Sequence, residues 1–243
     1  MAKYGGKDVP FILVDGFNLL ASKVFDVNVP EPEAVLEETT GVGDSWLEHL
    51  PVGLRKATMS QNGLFDDAAD GQNAAFNEQQ ATSRIVCTGV EGNTIGKRFT
   101  GLQGAFGAKY TRAGSRGGLH KASVVYTLTG QVDEGVILQH LTAKTADWDT
   151  EGADSVDNGA SSANGLVGYQ HVTALSGFSG FVGKIRHSAD DVTYADLITF
   201  ANVTAAPAKE RATAAGTVNR HLAYKGDVTG SGSLTPMCGA ARG

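Results

Sequence analysis

Short runs rich in Val, Ile, Leu, Phe and Tyr recur along the chain, and Gly, Asp or Asn closes most of them. Residues 11–14, 23–29, 57–64, 84–90, 123–129, 136–141, 181–185 and 217–224 have the length, the β-branched or aromatic content and the boundaries of strands. Their brevity and the turn residues between them predict a mainly β protein with antiparallel sheets, a β-sandwich or partial barrel. One or two short helices complete the pattern. Ser45 and Glu48 stand at capping-box spacing with Pro51 just beyond, which predicts one or two helical turns around Trp46. Residues 191–200 fit the helical and the strand period equally well, and that segment stays open.

Between residues 147 and 165 apolar residues nearly vanish and Gly, Ser, Asn and Asp take over. This stretch is expected to be an acidic linker between a β domain over 1–146 and a second β module over 166–243. The two sides partly repeat. The segment GLQGAFG at 101–107 lines up with GFSGFVG at 177–183, and Thr127, Gly130, Val132, Val136 and Leu138 line up with Thr213, Gly216, Val218, Leu222 and Tyr224. Two related modules, each too small to cover both faces of its sheet, would stack on one another or on neighbouring copies.

Composition narrows the function classes. The 243 residues are 41% apolar and 19% charged, with 32 glycines and 6 prolines, a balance that suits a folded, turn-rich chain. The formal net charge of −6 offers no bulk attraction to phosphate or anionic lipid. Cys87 and Cys238 are far apart and show no metal-ligand spacing, so both are expected as buried free thiols. The first thirty residues show no signal-peptide pattern, and no window reaches the roughly 18 apolar residues of a membrane helix. Folding in a cytoplasm is the expectation.

Candidate chemical sites are weak. The string Gly43-Asp44-Ser45-Trp46 resembles the nucleophile block of GDSL-type hydrolases, but none of the six histidines has an aspartate three positions before it. Ser45 reads better as a helix cap. Asp147, Asp149, Glu151 and Gly152 fall at the first, third, fifth and sixth positions of a calcium loop, yet Asn158 stands where a bidentate glutamate is needed. Asp66, Asp67 and Asp70 read as a turn. No signature of a nucleotide, zinc or dinucleotide site occurs, so no cofactor and no catalytic residue is expected.

One basic segment stands out. In KYTRAGSRGGLHK, residues 109–121, Lys109, Arg112, Arg116, His120 and Lys121 flank a glycine-rich tip. This predicts a long hairpin with a positive end on an acidic protein, suited to docking on the surface of an identical neighbour.

Three stretches carry a family resemblance: FILVDGFNLLASKVFDVNV at 11–29, EETTGVGDSWLEHLPVGLRKATMSQNGLFDD at 37–67, and HSADDVTYADLITF with AGTVNRHLAYKGDVTGSGSL at 187–234. Together they resemble the major tail proteins, or tail tube proteins, of long, non-contractile-tailed bacteriophages. The positions that match are Thr39, Thr40, Gly43, Asp44, the turn around Trp46 to Leu50, and Gly63 to Asp66. The resemblance implies a structural virion protein, not an enzyme, assembled in the host bacterial cytoplasm. Its copies would join as hexameric rings stacked into a tail tube, with double-stranded DNA passing through the lumen without specific binding and no membrane involved. Implied partners are other copies of the chain and the tape measure, tail tip and terminator proteins. The arms 1–9 and 231–243 and the basic hairpin would bridge rings.

Two other classes share the composition. A capsid decoration or tail-terminator protein would form a different oligomer. A carbohydrate-binding sandwich would use Trp46, Trp148, Tyr169, Phe178 and Tyr194 as a platform, of which Trp148 is expected to be exposed.

Overall fold

Both faces of the run 11–14 are buried. Ile12 and Val14 pack with Leu19, Val86 and Leu102, while Phe11 and Leu13 pack with Cys87, Phe99, Ile137 and Tyr169. An uninterrupted apolar run is what a strand covered on two sides requires, and each such side chain contributes about 1.5–3 kcal/mol. The computed structural model describes residues 11–19, 24–28, 33–39, 49–65, 72–76, 83–89, 91–128 and 130–243.

Along these residues the strands are β1 (Ile12–Val14), β2 (Phe17–Asn18), β3 (Val24–Asn28), β4 (Glu33–Glu38), β5 (His49–Lys56), β6 (Thr58–Leu64), β7 (Arg84–Gly89), β8 (Arg98–Ala113), β9 (Lys121–Leu128), β10 (Val132–Gln139), β11 (Trp148–Asp149), β12 (Val156–Asp157), β13 (Leu166–Ser188), β14 (Ala195–Thr199), β15 (Ala208–Ala214) and β16 (His221–Arg242). One helix, α1 (Gln72–Phe76), and a 3-10 turn at Gly152–Asp154 complete them. The mainly β, antiparallel reading holds. The expected helix before Pro51 falls mostly outside the described residues, and Pro51 itself lies in β5, paired with Leu36 of β4. The ambiguous 191–200 segment resolves as a bend followed by β14.

A long ribbon, β13 against β16, organises the molecule. It pairs from Leu166↔Arg242 to Ser188↔His221 with three irregularities, between Val172/Ala174, Ser176/Phe178 and Phe178/Gly180. The ribbon folds back on itself. A Cβ on Gly168 would lie 2.5 Å from Ile185 Cδ1, and one on Gly183 would lie 1.9 Å from Gln170 Oε1. In a straight strand those partners would be roughly 40–55 Å apart at about 3.3 Å per residue. The fold line falls at the bulges, where Gly177 (φ 83°) and Gly230 (φ 92°) adopt backbone angles that side-chain-bearing residues disfavour.

Strands that switch layers through such bends make the corners of sandwiches. One end of the ribbon joins β15 on one edge and β10, β8, β7, β1 and β2 on the other. The other end joins β14, β11 and β12. Leu138, Leu166, Val172, Phe181, Ile185, Phe200, Leu222 and Tyr224 fill the space between the layers. A second cluster beneath α1 contains Met59, Phe76, Val124 and Tyr126.

Two expectations need correction. Residues 231–242 are not a free arm: they run inside β16, paired to β13 and β10, with Leu234, Met237, Cys238 and Ala240 buried. The apolar content of LTPMCGAA is the physical reason, since it needs a core to cover it. Residues 147–165 are tied down along β16 by β11 and β12, by Thr150 N donating to Tyr224 O at 2.9 Å and by Ser162 pairing with Val218. The segments 101–107 and 177–183 both lie in long strands, but Leu102 faces Val132 of β10 while its counterpart Phe178 faces Gly230 of β16. Cys87 and Cys238 are buried free thiols.

Candidate subunit-contact surface

The basic segment forms the predicted hairpin. β8 and β9 pair through Thr111↔Ser123, Arg112↔Ala122 and Ala113↔Lys121, leaving residues 114–120 as the tip. Gly118 N donates to Ser115 O at 2.9 Å, and Gly117 has φ 82°, so the tip closes through a tight turn. Its base is anchored to β6 by Phe65 N donating to His120 O at 3.0 Å. Every residue from Thr111 to Lys121 is exposed, including Leu119 at 71%.

The five cations divide between the two faces of this hairpin, because side chains alternate along a strand. Arg112 shares the face of Tyr110 and lies over two rings, 5.7 Å from the Tyr110 centroid and 5.9 Å from that of Phe65. Such stacking on an exposed site is worth about 0.5–1 kcal/mol and fixes the guanidinium against the body. Lys109 and Lys121 stand on the opposite face. There Asn62, Thr111, Ala113 and Ser123 leave a shallow depression of about 290 Å³ beside Lys121. His120 lies against Gly114, and Arg116 is on the exposed tip. Among the described residues none of the five forms an ion pair. What the hairpin offers chemically is a cationic tip beside a sheet face of small side chains.

The other candidates fare differently. Ser45, Trp46, Asp66, Asp67 and Asp70 lie outside the described residues. Three carboxylates of the acidic stretch serve separate partners: Asp147 accepts from Val228 N at 2.7 Å, Glu151 pairs with Arg186, and Asp157 pairs with Arg220 at 2.5 Å. Asp157, held by Arg220 and by Gly159 N, titrates well below the usual carboxylate range. Among the described residues no group of three metal-ligating side chains converges.

Trp148 is half-buried rather than exposed. Its ring stacks on Phe181 at 5.5 Å and covers Gly226, and its Nε1 donates to Gln139 Oε1 at 2.7 Å. Tyr169, Phe178 and Tyr194 are buried as well. Trp148, Tyr169, Phe178 and Tyr194 thus form no exposed platform.

Two polar networks escaped sequence reasoning. Tyr169 OH donates to Asp133, and Arg211 reaches both the phenol oxygen and the Asp133 carboxylate at 3.1 Å. Burial and Asp133 push the phenol of Tyr169 far up, so it stays a donor. In the second, Asp15 pairs with Arg84 at 3.0 Å and Lys209 at 2.5 Å, while Gly16 N donates to His171 Nδ1 at 3.1 Å. Asp15-Gly16 between two strands was the only local signal, a hairpin turn. Its partners come from β7, β13 and β15, too distant in sequence to be foreseen.

No family model and no curated protein matches the chain. Among solved structures, similarity extends to the tail of an empty gene transfer agent particle with C6 symmetry (17% identity, TM-score 0.37, 54% of this chain and 97% of that one). It extends likewise to the virion of a native gene transfer agent particle (17%, 0.35, 54% and 97%). The third is the SPP1 Dit protein, titled a paradigm of the hub adsorption apparatus of phages infecting Gram-positive bacteria (12%, 0.36, 95% and 98%). At these TM-scores the likenesses assign no role to this chain.

Proposed function

We propose that the chain is a non-enzymatic structural subunit of a long phage tail that acts by self-association, its copies joining as hexameric rings stacked into a tube. The observation that carries this reading is the exposed basic hairpin, without an ion pair among the described residues, on a chain of net charge −6, since such an arm is complementary to the surface of its own neighbours. The resemblance of 11–29, 37–67 and 187–234 to tail tube proteins supports it. In this reading the sheet that β13 and β16 share with β10, β8 and β7 builds the ring. Lys109, Arg112, Arg116, His120 and Lys121 form the contact, and DNA passes through the lumen without specific binding.

Negative-stain microscopy of the concentrated full chain tests the reading. Rings or tubes with a central hole are expected, and replacing Lys109, Arg116 and Lys121 by Gln should remove them. Monomers at every concentration would overturn self-association, and isolated trimers would favour a capsid decoration protein. The carbohydrate-binding alternative loses support because Trp148, Tyr169, Phe178 and Tyr194 are packed.

A further inference from the structure

The mouth between the two sheet layers holds a guanidinium with no acid partner among the described residues. Arg98, Val136 and Ala240 face one another across β8, β10 and β16, so their side chains share one face. Two residues further along, Glu134 and Arg242 stand on that face too. Asn158 closes the cleft from the other layer, its amide donating to Arg220 O at 3.1 Å and to Val156 O at 3.3 Å. The resulting cleft has a volume of about 330 Å³.

Arg242 is half-buried, and among the described residues its one hydrogen bond runs from NH2 to Val218 O at 3.2 Å. Its Nε is fully buried without a partner among the described residues. Burial depresses its pKa, as expected for a cation withdrawn from water without compensation. Glu134, the carboxylate lining the cleft, is exposed and makes no ion pair with it. Arg98 extends into solvent, 72% exposed, with a loose 3.7 Å pair to Glu91. A guanidinium left with unused donors is the usual receptor for a carboxylate or phosphate group, which satisfies two N–H bonds at once.

We propose that this cleft is an oxyanion site in which Arg242 and Arg98 hold a carboxylate or phosphate-type group, with the Asn158 side chain on the facing wall. Glu134 at the rim opposes the anion and limits affinity. The site is independent of the basic hairpin.

The test is titration of the full chain with inorganic phosphate and, separately, acetate, at constant ionic strength against chloride. The readout is the side-chain Nε–H resonance of Arg242 and the amide resonances of Asn158. Saturable shifts absent with chloride are expected, with Arg98→Gln weakening binding several-fold, Arg242→Gln weakening it at least tenfold, and Glu134→Gln tightening it. Arg98 is exposed, so its variant keeps the test valid should Arg242→Gln fail to fold. Linear shifts, equal shifts with chloride, or unchanged affinity in Arg98→Gln would overturn the site. Sedimentation of the concentrated chain distinguishes the source of the anion. Phosphate that reduces association identifies the occupant as a neighbouring copy's carboxylate; phosphate that leaves association intact identifies a free ion. Both outcomes uphold the site.

Discussion

At the scale of single residues, the junction of Asp15-Gly16 with β13 and β15 leaves no room for a side chain. Gly16 has φ 91°, and a Cβ there would fall 2.7 Å from Ala208 N and 2.9 Å from Pro207 Cβ. Gly16→Ala is expected to cost about 2–4 kcal/mol through backbone strain and overpacking, seen as a lower urea midpoint with unchanged slope. His171 in the same junction gives a pH dependence. Burial lowers its pKa to about 4, with Asp15 opposing and Lys209 reinforcing the shift. Because the unfolded imidazole binds its proton near pH 6.5 and the folded one near 4, stability falls as pH drops through that window, by about 3 kcal/mol in all. His171→Gln should flatten the slope of unfolding free energy between those limits. Asp190, lowered to about 2 by the Thr193 and Val192 amides and Ser188, acts only below the normal carboxylate range, so the two effects separate in pH. None of this was legible in the sequence: Asp15-Gly16 announces a turn, but nothing local announces that its partners lie past residue 165.

At the scale of elements, the hairpin from Lys109 to Lys121 was readable because its signals are local: glycines at the tip, strand formers on both arms, and cations around the turn. Replacing the tip residues 114–120 with Asn-Gly should preserve the far-UV dichroism and melting temperature while abolishing assembly, which sedimentation would detect. An unchanged sedimentation profile would remove the hairpin from the contact. The strands missed by pattern are instructive. β15, with the sequence AKERATA, has too few apolar residues to register, yet it pairs with the whole stretch Leu166 to Val172. Its place is set by the partner strand, since edge strands need little apolar content of their own. Trp148 misled for the opposite reason: a polar neighbourhood implied exposure, while the glycine at 226 makes room for the indole against β16.

For the whole molecule, the sequence indicated β-rich architecture but placed the division of the chain in the 147–165 stretch, where composition changes. The physical division between layers runs instead across the middle of β13 and β16, at glycines that composition cannot distinguish from the other glycines of the chain. No strand among the described residues pairs the outer edges of 173–180 or 227–233, in contrast to both ends of the ribbon. Amides over 174–179 should therefore exchange with deuterium at least about tenfold faster than those over 166–172, measured by mass spectrometry. Since one doubled ribbon contributes strands to both layers, neither layer owns a complete set of its own. Severing the chain at Gly177 alone would leave two fragments that each expose part of a shared interior, so they should recover structure only when mixed.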